Sequence, residues 1–287
     1  MSYAPQIGAN TWIWVSPLTD ERLAELAPKI KRWGFDFIEL PIERPGEWDP
    51  ARAAALLGDL GLGATCCAVM SPERDLLVDD LETVHRTQRY LERCIEIAAT
   101  VGGSILGGPI YAATGRTWRM DEPARRAALE RLAGALRPVV EHAGAHGVRL
   151  AIEPLNRFET SLLNTVEQAL ELLARLDSLV CGLLLDTFHM NIEERDLPSA
   201  IRAAGPHLFH IHACANDRGA PGADHLDWPG IATALRAINY TGAIAIESFT
   251  AENQAIATAA SIWRPLAPTQ DALARDGLAF LRGTFAG

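Results

Sequence analysis

The chain has no stretch approaching about 20 continuous apolar residues, so nothing in it is expected to span a membrane as a helix. Its opening residues, MSYAPQIGAN, lack the basic region and apolar core of a secretory leader. Cys66, Cys67, Cys94, Cys181 and Cys214 form no CxxC pair and sit mostly in apolar runs, and their odd number argues against a disulfide framework. They read as reduced core thiols, and with the missing leader they imply the cytoplasm. Basic charge is also scarce: 26 Lys and Arg against 36 Asp and Glu leave a formal charge of -10, which disfavours nucleic acid and anionic membranes as partners. Neither a GxGxxG nor a Walker-type loop occurs, and no repeat, low-complexity tract or linker divides the sequence.

What is present is an ordinary globular composition, 48% hydrophobic and 22% charged, which is enough to build a sizeable core. The 287 residues suit one α/β barrel, typically about 250 residues long. Apolar runs and helical patterns alternate. Strands are expected at Ile7–Trp14, Phe35–Pro41, Leu62–Met70, Ser104–Pro109, Val148–Glu153, Val180–Asp186, His207–Ala213 and Gly242–Ser248. Between them lie helices starting near Thr19, Asp49, Asp79, Asp121, Thr165, Leu197 and Asp227, several behind a capping Thr or Asp. A final helix is expected to break around Pro265 and Pro268 and resume at Asp271. Eight βα units without a composition break predict a single (β/α)8 TIM barrel over 1–287, with a doubly wound open sheet as the alternative.

Four of these strands end in a polar group: Glu153, Asp186, His212 and Glu247. Side chains alternate along a strand, so Glu153 shares a face with Ala151, Asp186 with Leu184, His212 with His210, and Glu247 with Ala245. In a closed parallel barrel that face is the interior, and the strand ends lie at the carboxyl-terminal rim where such folds keep their chemistry. Carboxylates are almost never fully buried without a partner, and four polar ends together point to a shared cation more than to four separate local contacts. Three carboxylates and an imidazole suit one divalent ion of the Mn²⁺, Mg²⁺ or Co²⁺ kind.

Further polar groups follow at short offsets. Glu159, His189 and Arg218 lie in expected rim loops, where they can reach a ligand held by the cation. His210, one layer below His212, is a candidate supporting contact, and His225 lies in a nearby loop. Glu39 ends the second strand and Arg149 lies on the inward face of the fifth, which leaves either a buried charge pair or a supporting contact to the site open. His85, His142, His146 and His207 read as surface or packing groups. Trp12, Trp14, Tyr111, Trp118, Phe158 and Phe249 are candidates to wall the apolar face of a sugar.

The segments LAIEPLNRFET (150–160), LLLDTFHMNIEE (183–194), HIHACANDRGAPG (210–222) and IAIESFT (244–250) resemble the ketose 3-epimerases, such as the D-tagatose and D-psicose (D-allulose) 3-epimerases among the xylose-isomerase-like barrels. The resemblance covers most of the chain, although AATGRTWRM (112–120) departs from it. It implies one metal, usually manganese, on Glu153, Asp186, His212 and Glu247. It also implies that Glu159, His189 and Arg218 bind the first three oxygens of a ketose, that Glu153 and Glu247 act as the acid/base pair through a cis-enediolate, and that the protein is a homodimer or homotetramer. Rival readings are an aldose-ketose or hydroxypyruvate isomerase, a sugar dehydratase, and a non-catalytic sugar-binding protein. An endonuclease of similar architecture would need a basic groove, which the charge disfavours.

Overall fold

Short apolar strands whose two faces are both buried need a layer on each side, and the chain meets that need by closing the sheet on itself. The computed structural model of the protein describes residues 5–286. Its parallel strands follow one another round a closed barrel in chain order: β1 Gln6–Asn10, β2 Phe37–Ile42, β3 Gly63–Ala68, β4 Ile105–Gly108, β5 Arg149–Ile152, β6 Cys181–Asp186, β7 Leu208–Ala213 and β8 Ala243–Ile246. Pairing of Ile7 with Ile244 closes the ring, which excludes the open sheet. The outer layer is α1 Asp20–Trp33, α2 Pro50–Leu60, α3 Leu81–Thr100, α4 Glu122–Ala145, α5 Val166–Leu176, α6 Thr187–Glu193, α7 Leu197–Ala204, α8 Trp228–Ala237, α9 Gln254–Ala259 and α10 Gln270–Phe285. No helix among the described residues is long and apolar enough to cross a membrane.

Local chemistry sets where these elements begin. The Thr19 side chain accepts the Arg22 amide at the head of α1, and Thr165 and Gln168 form a reciprocal capping box on α5. Asp227 caps α8, whose first turn holds Pro229, where a missing amide proton costs little. The break expected in the tail separates α9 from α10. β1, in contrast, ends earlier than its apolar run suggests. The Asn10 side chain accepts the Trp12 amide at 2.9 Å and turns Thr11–Ile13 into one 3₁₀ turn, so Trp12 and Trp14 leave the strand.

The outward faces of the strands join the helices in one large core, to which Ile38, Leu40, Leu150, Leu183 and Ile244 contribute. Inside the barrel lies a separate small cluster of Ile105, Ala151, Leu184 and Phe209. Strand parity assigns Phe209 to the outer face, and the structure corrects this. Leu183 pairs with Leu208 but Leu184 pairs with His210, so β7 carries one extra residue there. The bulge turns the Phe209 ring inward, into space left by Gly182, where an added Cβ would stand 2.6 Å from that ring. The Arg149 guanidinium covers the same ring at 4.5 Å. The possible pair between Arg149 and Glu39 therefore does not form; Glu39 finds its partners elsewhere.

Candidate active site

Above that apolar floor the barrel interior turns polar. Glu153 follows β5 directly, and its amide donates to the Gly108 carbonyl at 3.0 Å. Gly108 has φ +123, and a Cβ there would stand 2.7 Å from the Ala68 carbonyl oxygen, so only glycine fits this strand end. Asp186 closes β6 in register with His212 of β7, and Glu247 follows β8 with its amide on the Ala213 carbonyl at 3.3 Å. These four side chains are buried, and each offers a ligand atom within 4.8 Å of the others. His212 Nδ1 is the hub: it stands 3.2 Å from Glu247, 3.7 Å from Glu153 and 4.0 Å from Asp186, yet this buried nitrogen has no hydrogen-bond partner.

The other side of the imidazole explains its orientation. Its Nε2 lies 2.8 Å from Glu39 Oε2, close although off the hydrogen-bond axis. Asn10 Nδ2 donates to the same oxygen at 3.0 Å. The other Glu39 oxygen accepts from Thr65 Oγ1 at 3.0 Å and lies 2.8 Å from His210 Nε2. A fully buried carboxylate thus backs the histidine, the arrangement by which proteins hold a metal-ligating imidazole. His210 is the supporting group its inward position suggests. Of the two readings open for Glu39 in the sequence, it takes the supporting contact and not the pair with Arg149.

The remaining candidates gather over this cluster. Arg218 enters from the loop after β7 at φ +70, and its guanidinium lies between the Phe188 and Phe249 rings at 4.4 and 4.7 Å. Its Nη1 contacts Asp186 and reaches Glu247 at 3.0 Å, while Nη2 is 2.9 Å from His189 Nε2. His189 is not in a loop. Asp186 Oδ1 accepts the Phe188 amide at 2.7 Å and so caps α6 directly behind the strand, which carries His189 inward on the first helical turn. Sequence reasoning missed both this helix and Asn156. The Asn156 amide donates to His189 Nδ1 at 3.1 Å and its side chain donates to Glu159 Oε1 at 2.8 Å, joining two candidate substrate groups. The only sequence signal was an Asn in a rim loop without a helix to cap.

Charge in this pocket is unbalanced. Four buried carboxylates, of Glu39, Glu153, Asp186 and Glu247, face one guanidinium, and unpaired buried charge is costly. Burial, partly opposed by His212 and reinforced by Glu247 and Asp186, pushes the Glu153 carboxyl up to about 8. Burial acts on Glu247 too, but there the charges of His212 and Arg218 outweigh it and its pKa falls. Burial and then Arg218 lower His189 to about 3, so it is neutral, whereas Arg218 overcomes burial through Asp186 and stays cationic. Burial raises Glu159 against the opposing effects of Arg218 and Asn156.

Other sequence candidates lie apart. His225 meets Asn191 at 3.1 Å on the surface. Trp14 stacks on Trp33 with centroids 6.1 Å apart, and Phe158 is exposed. Tyr111 is buried and donates to the Glu153 carbonyl at 3.1 Å, so it is packing beneath the rim. Trp12 meets Phe249 edge-on at 6.4 Å, next to Arg218. All five cysteines are buried and unpaired.

Comparison with known proteins gives the same picture. A family profile described as a xylose isomerase-like TIM barrel matches residues 27–284. A Synechocystis sp. protein named "Probable ketose 3-epimerase" is 39% identical over 99% of both chains. The solved structure of an L-ribulose 3-epimerase superposes with a TM-score of 0.92 at 32% identity, covering 100% of this chain and 95% of that one. A Methylomonas sp. D-allulose 3-epimerase in complex with D-allulose gives a TM-score of 0.91 at 28% identity over 99% of both chains.

Proposed function

The chain belongs to the ketose 3-epimerases of the xylose isomerase-like TIM barrel family, and from that premise we propose that it interconverts C3 epimers of free ketoses with one divalent cation, Mn²⁺, held by Glu153, Asp186, His212 and Glu247. The observation carrying this reading is the buried, unpartnered His212 Nδ1 with three carboxylates converging on it. Such an oxygen-rich donor set with one imidazole fits Mn²⁺, with Mg²⁺ or Co²⁺ as substitutes. When bound, the cation supplies Lewis-acid neutralisation of the charge that develops on the ketose oxygens. Glu153 and Glu247 rise from β5 and β8, which are not neighbours, and flank the space above His212. One takes the C3 proton, the ketose passes through its cis-enediolate, and the other returns a proton to the opposite face. Arg218 and neutral His189 donate to the first three ketose oxygens, and Glu159 accepts a hydroxyl.

Relatives named for L-ribulose and for D-allulose support both pentuloses and hexuloses as substrates. The test is incubation of the Mn²⁺-loaded protein with D-fructose, D-tagatose, D-allulose and pentuloses in deuterated water. Deuterium at C3 together with the new epimer is expected. Label confined to C1 or C2 without a C3 epimer would make the protein an isomerase instead.

Two further outcomes separate the roles of individual residues. Arg218→Ala should weaken ketose handling by roughly 10- to 150-fold, as loss of a hydrogen bond to a charged group does. Cation affinity should hold or improve, because the guanidinium competes for Asp186 and Glu247. A variant that folds but no longer takes up Mn²⁺ would contradict this. Glu39→Gln should do the reverse, weakening cation affinity about 10- to 100-fold through the orientation of His212. Titration of both variants with Mn²⁺ checks the pair, and an unchanged Glu39→Gln affinity would remove Glu39 from the site.

A further inference from the structure

The segment 112–120, which departs from the family resemblance, lies between two other rim loops and is tied to each. We infer that Asp75 and Arg116 are positioning residues that hold Glu159 in place through this segment; the consequence for catalysis rests on the ketose reading of Glu159 above.

Asp75, in the loop after β3, is buried and uses both carboxylate oxygens. Oδ2 accepts the Ala113 amide at 3.0 Å and Arg116 Nε at 2.7 Å, and Oδ1 accepts the Leu77 amide at 2.6 Å and Arg116 Nη2 at 3.3 Å. Its own amide donates to Thr87 Oγ1 of α3 at 2.9 Å, so the anchor is fixed to the outer helix layer. The Arg116 guanidinium rests on the Trp118 ring at 3.9 Å. A forked, stacked arginine fixes direction as well as charge, which a lysine does not.

The far side of the segment grips the loop after β5. Arg116 makes a parallel bridge with Thr160, and the Trp118 amide donates to Ser161 Oγ at 2.7 Å. Gly115, at φ +88, aims its amide at the Glu159 carbonyl at 2.8 Å. Glu159 is therefore held at three points: its carbonyl by the Gly115 amide, its amide on the Asn156 carbonyl at 3.0 Å, and its carboxylate by the Asn156 side chain. With the brace cut, the hold on the Glu159 carbonyl loosens, and the residue is left tied to its own loop through Asn156 alone.

The experiment uses the full-length, Mn²⁺-loaded protein with Arg116→Met, Arg116→Lys and Asp75→Asn, each alone and combined with Glu159→Gln. Hydrogen exchange is expected to quicken in peptides covering 153–165 and not in those covering β6 and β7. Ketose kcat/KM should fall roughly 10- to 100-fold, mainly through KM, with Mn²⁺ affinity unchanged and Arg116→Lys intermediate. In the Glu159→Gln background the further loss should vanish, because residues acting through one group are not additive. Additive losses, or exchange that quickens throughout the barrel, would reduce the pair to a stabilising contact and overturn the inference. If Arg116→Met does not fold, Arg116→Lys and Asp75→Asn decide by the same criteria. A wild type without ketose turnover would refute the functional reading alone, since local exchange at 153–165 still decides whether the brace holds Glu159.

Discussion

Glu153→Gln and Glu247→Gln are each expected to lower net C3 epimerisation by roughly 10²- to 10⁴-fold, the contribution usual for a positioned acid or base. Glutamine keeps the shape of the side chain and an oxygen that can face a cation, but it cannot carry the proton. Inversion at C3 requires removal on one face and delivery on the other, so either variant retains only half of the cycle. One of the two should therefore still exchange the C3 hydrogen with deuterated water while forming no epimer, because the surviving carboxylate abstracts and returns a proton on its own side. Both residues are also proposed ligands, so Mn²⁺ occupancy is measured first. Near-wild-type epimerisation by either fully loaded glutamine variant would sink the acid/base assignment.

The convergence of the rim side chains was legible because a parallel barrel imposes a simple rule: a polar residue at the carboxyl end of an inward-facing register has few places to go. Parity alone brought Glu153, Asp186, His212 and Glu247 to one face, and they converge. The rule failed at Phe209, where one extra residue in β7 reverses the alternation below His210; a bulge leaves no mark in an apolar run. Asn10 and Asp186 show a second limit. Each side chain turns back on the following amides and starts a helical turn at once, so a residue that reads as a strand end is also a cap. The partners of Glu39 and Asn156 were out of reach for a third reason. They lie on β7 and α6, many residues away, and a single sequence carries no record of such pairs.

Removal of the cation is expected to abolish turnover and to lower thermal stability most at alkaline pH. The sign follows from the groups that must give up protons. In the cation-free protein the folded-state pKa of Glu153 is raised to about 8 by burial, above its ordinary 4.5. That of His212 is also raised, Glu247 and Glu39 overcoming its burial. A raised folded-state pKa contributes stability that is complete below the unfolded value and is lost as pH rises through the folded one. Glu153 thus withdraws its contribution between about pH 4.5 and 8, leaving a buried negative charge that a bound cation would offset. Glu247 and Glu39, whose values are lowered, keep their contributions throughout this range. Cation binding must then release protons, as it does wherever ligands are protonated in the empty site. Mn²⁺ at about 100 times its Kd should add about 2.7 kcal/mol, roughly 5–10 °C in Tm for a chain of this size. Melting curves with and without chelator should diverge progressively from pH 6 to pH 8, and calorimetry in buffers of different ionisation enthalpy should record the released protons. A Tm and a turnover rate indifferent to chelation, or anomalous scattering from Mn²⁺ bound away from His212, would remove the metal centre on which the proposed reaction depends.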